Sequence, residues 1–384
     1  MRISPLRLFF ISQGLGFVYF WISLAIPYLM YRGLTPLEAF SLMSLYQFIG
    51  VFLEYPTGVI GDRFGYRRTL FIANTLNALS MVILAQSGPR WVYLLGLIVL
   101  AIGSGFSSGN NQGLLKRVSS NVRRDTANLT ALAEFVIFLS SLIGAWIGAI
   151  SFEVALYISA AAMFSANIPL YFLSSDRTYR IDTHSLSQII KDGLIALKNP
   201  VMSQLFLILA VYGGFFFSTK SIIGSFGDLY GFDLKLIGIF IGLSALSRAV
   251  GSKFYAHYQG ISKLYTLLFL AIAILTMAIS PVYGVAVLII VFHFGVGYLI
   301  SAIDGDIHDL AQDHTRSSLF SLKRLIMRLV SSGYLLIYGL FISRDQFTLL
   351  MVCLGTAMLI TVLITKKYSS AKPYLQKERP IESL

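Results

Sequence analysis

Apolar runs long enough to cross a lipid bilayer recur along this chain almost from end to end. A helix needs about 20 apolar residues to cross the hydrocarbon layer. Runs of that order occupy roughly 8–30, 37–60, 69–87, 91–113, 126–150, 152–173, 201–223, 235–256, 262–280, 282–308, 317–342 and 345–366. In lipid each backbone N–H and C=O must be satisfied within the protein, so such runs fold as helices. Composition agrees. Of 384 residues, 56% are hydrophobic and only 12% charged, whereas soluble domains carry roughly 25% charged residues. The expected fold is therefore an all-α membrane protein of twelve transmembrane helices. The first run is too long for a signal-peptide core and lacks a small-residue cleavage site, so it reads as the first span.

The net charge of +12 would suggest nucleic acid on a soluble protein, but the basic residues are sorted by side. With the N-terminus in the cytoplasm, the inside segments hold Arg2, Arg7, Arg63, Arg67, Arg68, Lys116, Arg117, Arg123, Arg124, Arg177, Arg180, Lys191, Lys198, Lys253, Lys263, Arg316 and the basic tail. The outside loops hold only Arg32, Arg90, Lys235 and Arg344. This is the positive-inside pattern. It puts both termini in the cytoplasm and makes the bilayer, not nucleic acid, the partner. The longest polar interruption, Ser174 to Asn199, divides the runs into six plus six. The expected units are 1–173, a cytoplasmic loop 174–199, a second unit 200–366 and a tail 367–384. Gly103, Gly105, Gly113, Ser140 and Arg124 recur 192 positions later as Gly295, Gly297, Gly305, Ser332 and Arg316. Duplicated halves are common in secondary transporters, whose sites lie near the midplane. The lone cysteine, Cys353, sits in an apolar run and reads as a packed thiol.

The connection between the second and third runs reads Gly58-Val-Ile-Gly-Asp62-Arg63-Phe-Gly65-Tyr-Arg67-Arg68. It resembles the loop 2–3 signature of the major facilitator superfamily at every defined position. The lead-in Glu54-Tyr55-Pro56-Thr57-Gly58 and the stretch Arg316-Ser317-Ser318 resemble a branch of bacterial efflux proteins. The resemblance implies two pseudo-symmetric six-helix bundles in a bacterial inner membrane, working as a monomer without cofactor. It also implies that Asp62 docks at the positive N-terminus of the eleventh helix, with Arg63, Arg67 and Arg68 pairing with acids or lipid phosphates. On that reading the loop, with Gly58 and Gly65 permitting close approach, is a conformational latch. The alternative is a basic loop that only sets topology.

Ionisable groups inside a span cost several kcal/mol unless paired or wet. Glu54, Glu134, Lys220, Arg248, His293, Asp304, Asp306, Lys323, Arg324 and Arg328 all fall in spans. Lys220 reads as an outer-end cation that snorkels. The family layout packs span two on eleven and five on eight. Glu54 is then expected near Arg324 or Arg328, and Glu134 near Arg248. Such pairs would bridge halves that rock apart, and a carboxylate separated from its cation takes a proton more readily. They are either the proton-coupling groups or static cement. Asp304, Asp306, His308 and Asp309 suggest a metal cluster at first sight, but cytoplasmic end charges pairing with Arg316 or Lys323 explain them better.

The cavity is expected between spans one, four, seven and ten: Gln13, Tyr19, Trp21, Asn110, Asn111, Tyr212, Phe216 and His293. This is aromatic with few fixed charges and suits an amphipathic organic solute. The run Phe215-Phe216-Phe217 faces either the cavity or lipid. Two features of drug–proton antiporters are missing: Val99 stands where a span-four arginine is usual, and Gly144 to Gly148 has no proline. The leading expectation is proton-driven export of a small organic compound, such as a drug, siderophore or other metabolite. The runner-up is an importer or facilitator of a sugar or organic acid. A sensor that has lost transport is a further reading. No phosphate loop, metal-binding histidine pair or nucleophile elbow suggests an enzyme.

Overall fold

The computed structural model describes residues 4–173, 191, 194–310, 316–341 and 344–370. The side chains of Glu54, Gly58, Asp62 and Arg316–Ser318 lie outside the described residues, as do the loop 174–190 and the tail from 371. Among the described residues all regular structure is helical. In chain order the helices of the first half are α1 (Pro5–Gly16), α2 (Trp21–Tyr31), α3 (Pro36–Phe64), α4 (Tyr66–Ala85), α5 (Arg90–Ser107), α6 (Asn110–Val118), α7 (Val122–Gly148), α8 (Phe152–Ser165) and α9 (Asn167–Tyr171). The second half holds α10 (Pro200–Ile208), a π-helical turn (Leu209–Gly213), α11 (Gly214–Gly224), α12 (Phe226–Tyr230), α13 (Leu234–His257), α14 (Lys263–Ile279), α15 (Val282–Leu310), α16 (Arg316–Leu340) and α17 (Arg344–Ser370).

Among the described residues ten helical stretches are long and apolar enough to cross a membrane, among them Pro5–Tyr31, Arg90–Val118 and Pro200–Gly224. Of the twelve expected runs, the other two are α14, apolar but 17 residues long, and α16, which carries Lys323, Arg324 and Arg328. Helix starts follow local chemistry. Thr35 and Glu38 form a reciprocal capping box with Pro36 at the first position of α3, and Asp233 accepts from the Leu236 N–H to start α13. Such caps satisfy backbone donors that no helical turn can reach.

Four expected spans are not simple helices; the sixth is interrupted at Ala166, between α8 and α9. The first breaks at 17–20, where the Ser159 hydroxyl accepts from the Phe20 N–H at 3.0 Å and Ser140 donates to the Phe17 carbonyl at 3.4 Å. A break at membrane depth survives only when buried protein groups take over its hydrogen bonds. The fourth breaks at Gly109, whose φ of +75° favours glycine. The seventh holds the π-helical turn.

Helices of each half pack mainly on one another, and three seams join the halves. Along the first, α3 meets α16 with Phe40 on Tyr338, Ser44 bonded to Ser332 and Gly50 against Arg328. Along the second, α7 meets α13 antiparallel, with Gly148 on Leu234, Gly238 on Ala145 and Gly242 on Phe138. Along the third, Ile26 and Pro27 of α2 touch Gly224 of α11. These contacts cluster toward the end of the molecule that carries Arg32, Glu153, Glu38 and Arg90, which pair there as Arg32–Glu153 and Arg90–Glu38. Within the second half, α13 and α15 approach through reciprocal glycines: Gly251 lies on the Phe294 carbonyl and Gly297 on the Arg248 carbonyl.

Candidate functional site

The α7–α13 seam ends in a charge pair. Glu134 of α7, buried, meets Arg248 of α13 in an ion pair. The second carboxylate oxygen of Glu134 is buried without a hydrogen-bond partner. Beyond these two residues, toward the Arg67 end, the described residues of α7 and α13 share no hydrogen bond, ion pair or ring contact. The pair thus joins the two halves at the far end of this run of glycine contacts.

The Arg248 guanidinium also lies over the Phe216 ring, 5.2 Å from its centroid, and Phe216 meets the His293 ring edge-on at 5.3 Å. His293 is fully buried on α15, with Nδ1 2.8 Å from the Ile289 carbonyl and Nε2 3.1 Å from the Thr219 hydroxyl. Nδ1 donates to that carbonyl, which leaves Nε2 as the acceptor in the neutral ring. Of the Phe215-Phe216-Phe217 run, Phe216 thus faces the seam, and Phe215 packs on Phe292 and Tyr334 inside the second half.

The first half contributes a pocket of about 190 Å³ lined by Gln13, Tyr19, Asn74, Asn77, Ser104, Ser107 and Asn111 among apolar neighbours. Gln13, Tyr19 and Asn111 were expected in a cavity, and the fold brings them together. Asn74 and Asn77 were not expected there, because they sit on α4, outside the four spans taken as lining. The available signal was the i, i+3 spacing of two carboxamides in an otherwise apolar run. The buried Oδ1 of Asn111 has no hydrogen-bond partner, which suits a ligand with donor groups, whereas that of Asn77 lies against Gly103.

Other expected lining residues stand elsewhere. Asn110 is buried against Gly61 and donates to the Thr57 and Phe106 carbonyls, pinning α6 to α3. Trp21 is buried in the apolar core, edge-on to Tyr28 at 6.0 Å. Tyr212 places its hydroxyl 3.0 Å from both the Leu267 and Met358 carbonyls and ties its turn to α14 and α17.

At the opposite end, α3 continues to Phe64, and Gly65 alone, at φ +90°, makes the turn into α4. Arg67 donates to the Leu173 carbonyl, Arg117 covers the Tyr66 ring at 4.5 Å, and Arg63 and Arg68 are exposed. Asp304 pairs with Lys323 and Asp306 with Lys263. Glu54 and Asp62 themselves lie outside the described side chains, and their expected pairings with them.

The whole arrangement is similar to solved transporters. The nucleoside transporter NupG superposes with a TM-score of 0.73 at 15% identity, covering 95% of this chain and 99% of that one. A POT family transporter in complex with 5-aminolevulinic acid gives 0.76 at 14%, covering 95% of each. The POT family transporter PepTSo gives 0.76 at 13%, covering 95% and 98%. At such identities the likeness speaks for the fold. Among curated proteins none matches the sequence significantly. The family model described as Major Facilitator Superfamily matches residues 8–335, and the chain is accordingly a membrane transporter of the major facilitator superfamily.

Proposed function

We propose that this protein crosses a bacterial inner membrane twelve times, with both termini in the cytoplasm, as a monomer of two six-helix bundles, 1–173 and 200–366. It works by alternating access and exports a small amphipathic organic compound in exchange for protons. The observation that carries this reading is the buried Glu134–Arg248 pair that bridges the two halves. Rocking the halves would draw the carboxylate from its guanidinium, and a buried carboxylate without a cation takes up a proton. The free Oε2 of Glu134 leaves room for it. Glu54 opposite Arg324 or Arg328 would be the second such group, and Asp62 with Gly58, Arg63, Gly65, Arg67 and Arg68 the latch that holds one side shut.

Inverted vesicles and a deletion strain test the reading. An imposed pH gradient is expected to drive solute into inverted vesicles, and the deletion strain to gain compound sensitivity or retain a metabolite. Glu134→Gln should abolish accumulation against a gradient while leaving exchange intact; undiminished proton-driven transport would remove Glu134 from the coupling role.

Import of a polar nutrient is the second reading. The carboxamide-lined pocket favours it, since Gln13, Asn74, Asn77 and Asn111 suit a solute rich in hydrogen-bonding groups. The solved transporters of similar fold are named for nucleosides and peptides. Uptake into right-side-out rather than inverted vesicles would decide for it.

A further inference from the structure

Lys220 of α11 is the charged group that the charge pairs leave over. Among the described residues it makes no hydrogen bond and no ion pair, although it is half-buried within a membrane-crossing helix. Its neighbours along the helix fix its direction. Phe216 and Gly224 lie one turn to either side, and residues four apart share a helix face. Phe216 sits beneath Arg248, the partner of Glu134 in the first half. Gly224 touches Ile26 and Pro27 of the first half directly. The face that carries Lys220 therefore runs from Phe216, beneath Arg248, to the contact with the opposite half at Gly224. Lys220 stands about one turn inside the closed end of the space between the halves.

A cation held in a membrane without a counter-charge is costly, and inside such a protein it marks a path or a ligand. Glu134 is engaged by Arg248, Glu38 by Arg90 and Glu153 by Arg32. Among the described side chains no carboxylate lies within ion-pair distance of Lys220. We propose that Lys220 is the docking point for an anionic group, carboxylate or phosphate, on the transported compound. The aromatic Phe216 and the uncharged pocket of the first half then receive the remainder. This deepens the functional reading above and rests on it: the solute becomes an amphipathic organic anion.

Thermal unfolding of the full-length protein in nanodiscs tests this with three probes: benzoate, phenylphosphonate and neutral benzamide. Benzoate or phenylphosphonate is expected to raise the melting temperature saturably, and benzamide to leave it unchanged. The anion that acts identifies the group. Lys220→Met should raise the half-saturating concentration at least about tenfold, the loss expected for a charged hydrogen bond. Lys220→Arg should keep it within about threefold, because the charge persists. Without anion, Lys220→Met should melt no lower than wild type, because it removes an unanswered charge. The proposal fails if wild type and Lys220→Met respond alike, if benzamide acts as well as benzoate, or if no anion acts. It fails also if Lys220→Met melts lower on its own, which would mark a structural lysine. Melting reports occupancy regardless of flux, so vesicles without proton-driven transport would defeat the export reading alone.

Discussion

Helices α5 and α15 hold equivalent places in the two halves and use the same glycines. Gly103 receives Asn77 of the preceding helix, and Gly105 receives Leu53 of the helix before that. Their counterparts 192 positions on repeat the scheme: Gly295 receives Leu270 and Gly297 the backbone of Arg248. Beyond the glycines the two regions differ. The first half breaks at Gly109 and turns into α6, while α15 runs unbroken for 29 residues. The first half builds a pocket of carboxamides and hydroxyls, whereas the second places His293 and Arg248 beside aromatic rings. A duplicated scaffold thus keeps its helix contacts and changes its chemistry. The packing glycines carry the shared architecture, and the groups between them carry the division of labour.

The seam between the halves gives the largest expected effect. Arg248→Met leaves a buried carboxylate without its cation and should cost about 3–5 kcal/mol. Denaturant unfolding of Glu134→Gln/Arg248→Met should recover more than half of that; simple additivity would show that the two halves are not coupled through this pair. The glycine comparison comes next. Gly297→Ala drives a methyl into the Arg248 carbonyl and should cost about 1–3 kcal/mol. Gly105→Ala meets the Leu53 Cβ at 3.1 Å and should cost less than about 1 kcal/mol. Equal losses would mean that the two helices are packed alike after all. At the break, Gly109→Ala should cost about 1–2 kcal/mol for its left-handed backbone. Ser301→Ala, at the equivalent helical position of α15, should cost about 1 kcal/mol or less, and the reverse order would remove the break as a difference between the halves. The smallest effect belongs to the other seam. Ser44→Ala loses the hydroxyl contact with Ser332, 2.9 Å, and should cost about 1 kcal/mol by the same unfolding assay.

Much of this was open to reading before any coordinates. Apolar length located the helices to within a few residues, because a membrane helix has to span a fixed thickness. The breaks at 17–20 and Gly109 were hidden, since apolar composition continues through both and only distant serines or a positive φ reveal them. The facing of Glu134 and Arg248 followed from a family layout, not from periodicity. Trp21, Asn110 and Tyr212 looked like lining because polar or aromatic residues on the expected spans carry no mark of which side they face. Asn77 was missed for the same reason.

The reciprocal glycines of α13 and α15 have a mechanical meaning. Each helix lays a residue without a side chain on a carbonyl of the other, so a shift of one residue would ram a bulkier group into an oxygen. The two therefore form a single stiff plate with no slip plane. Arg248 and His293 ride on that plate, so a displacement of one helix carries the other charge-bearing helix with it.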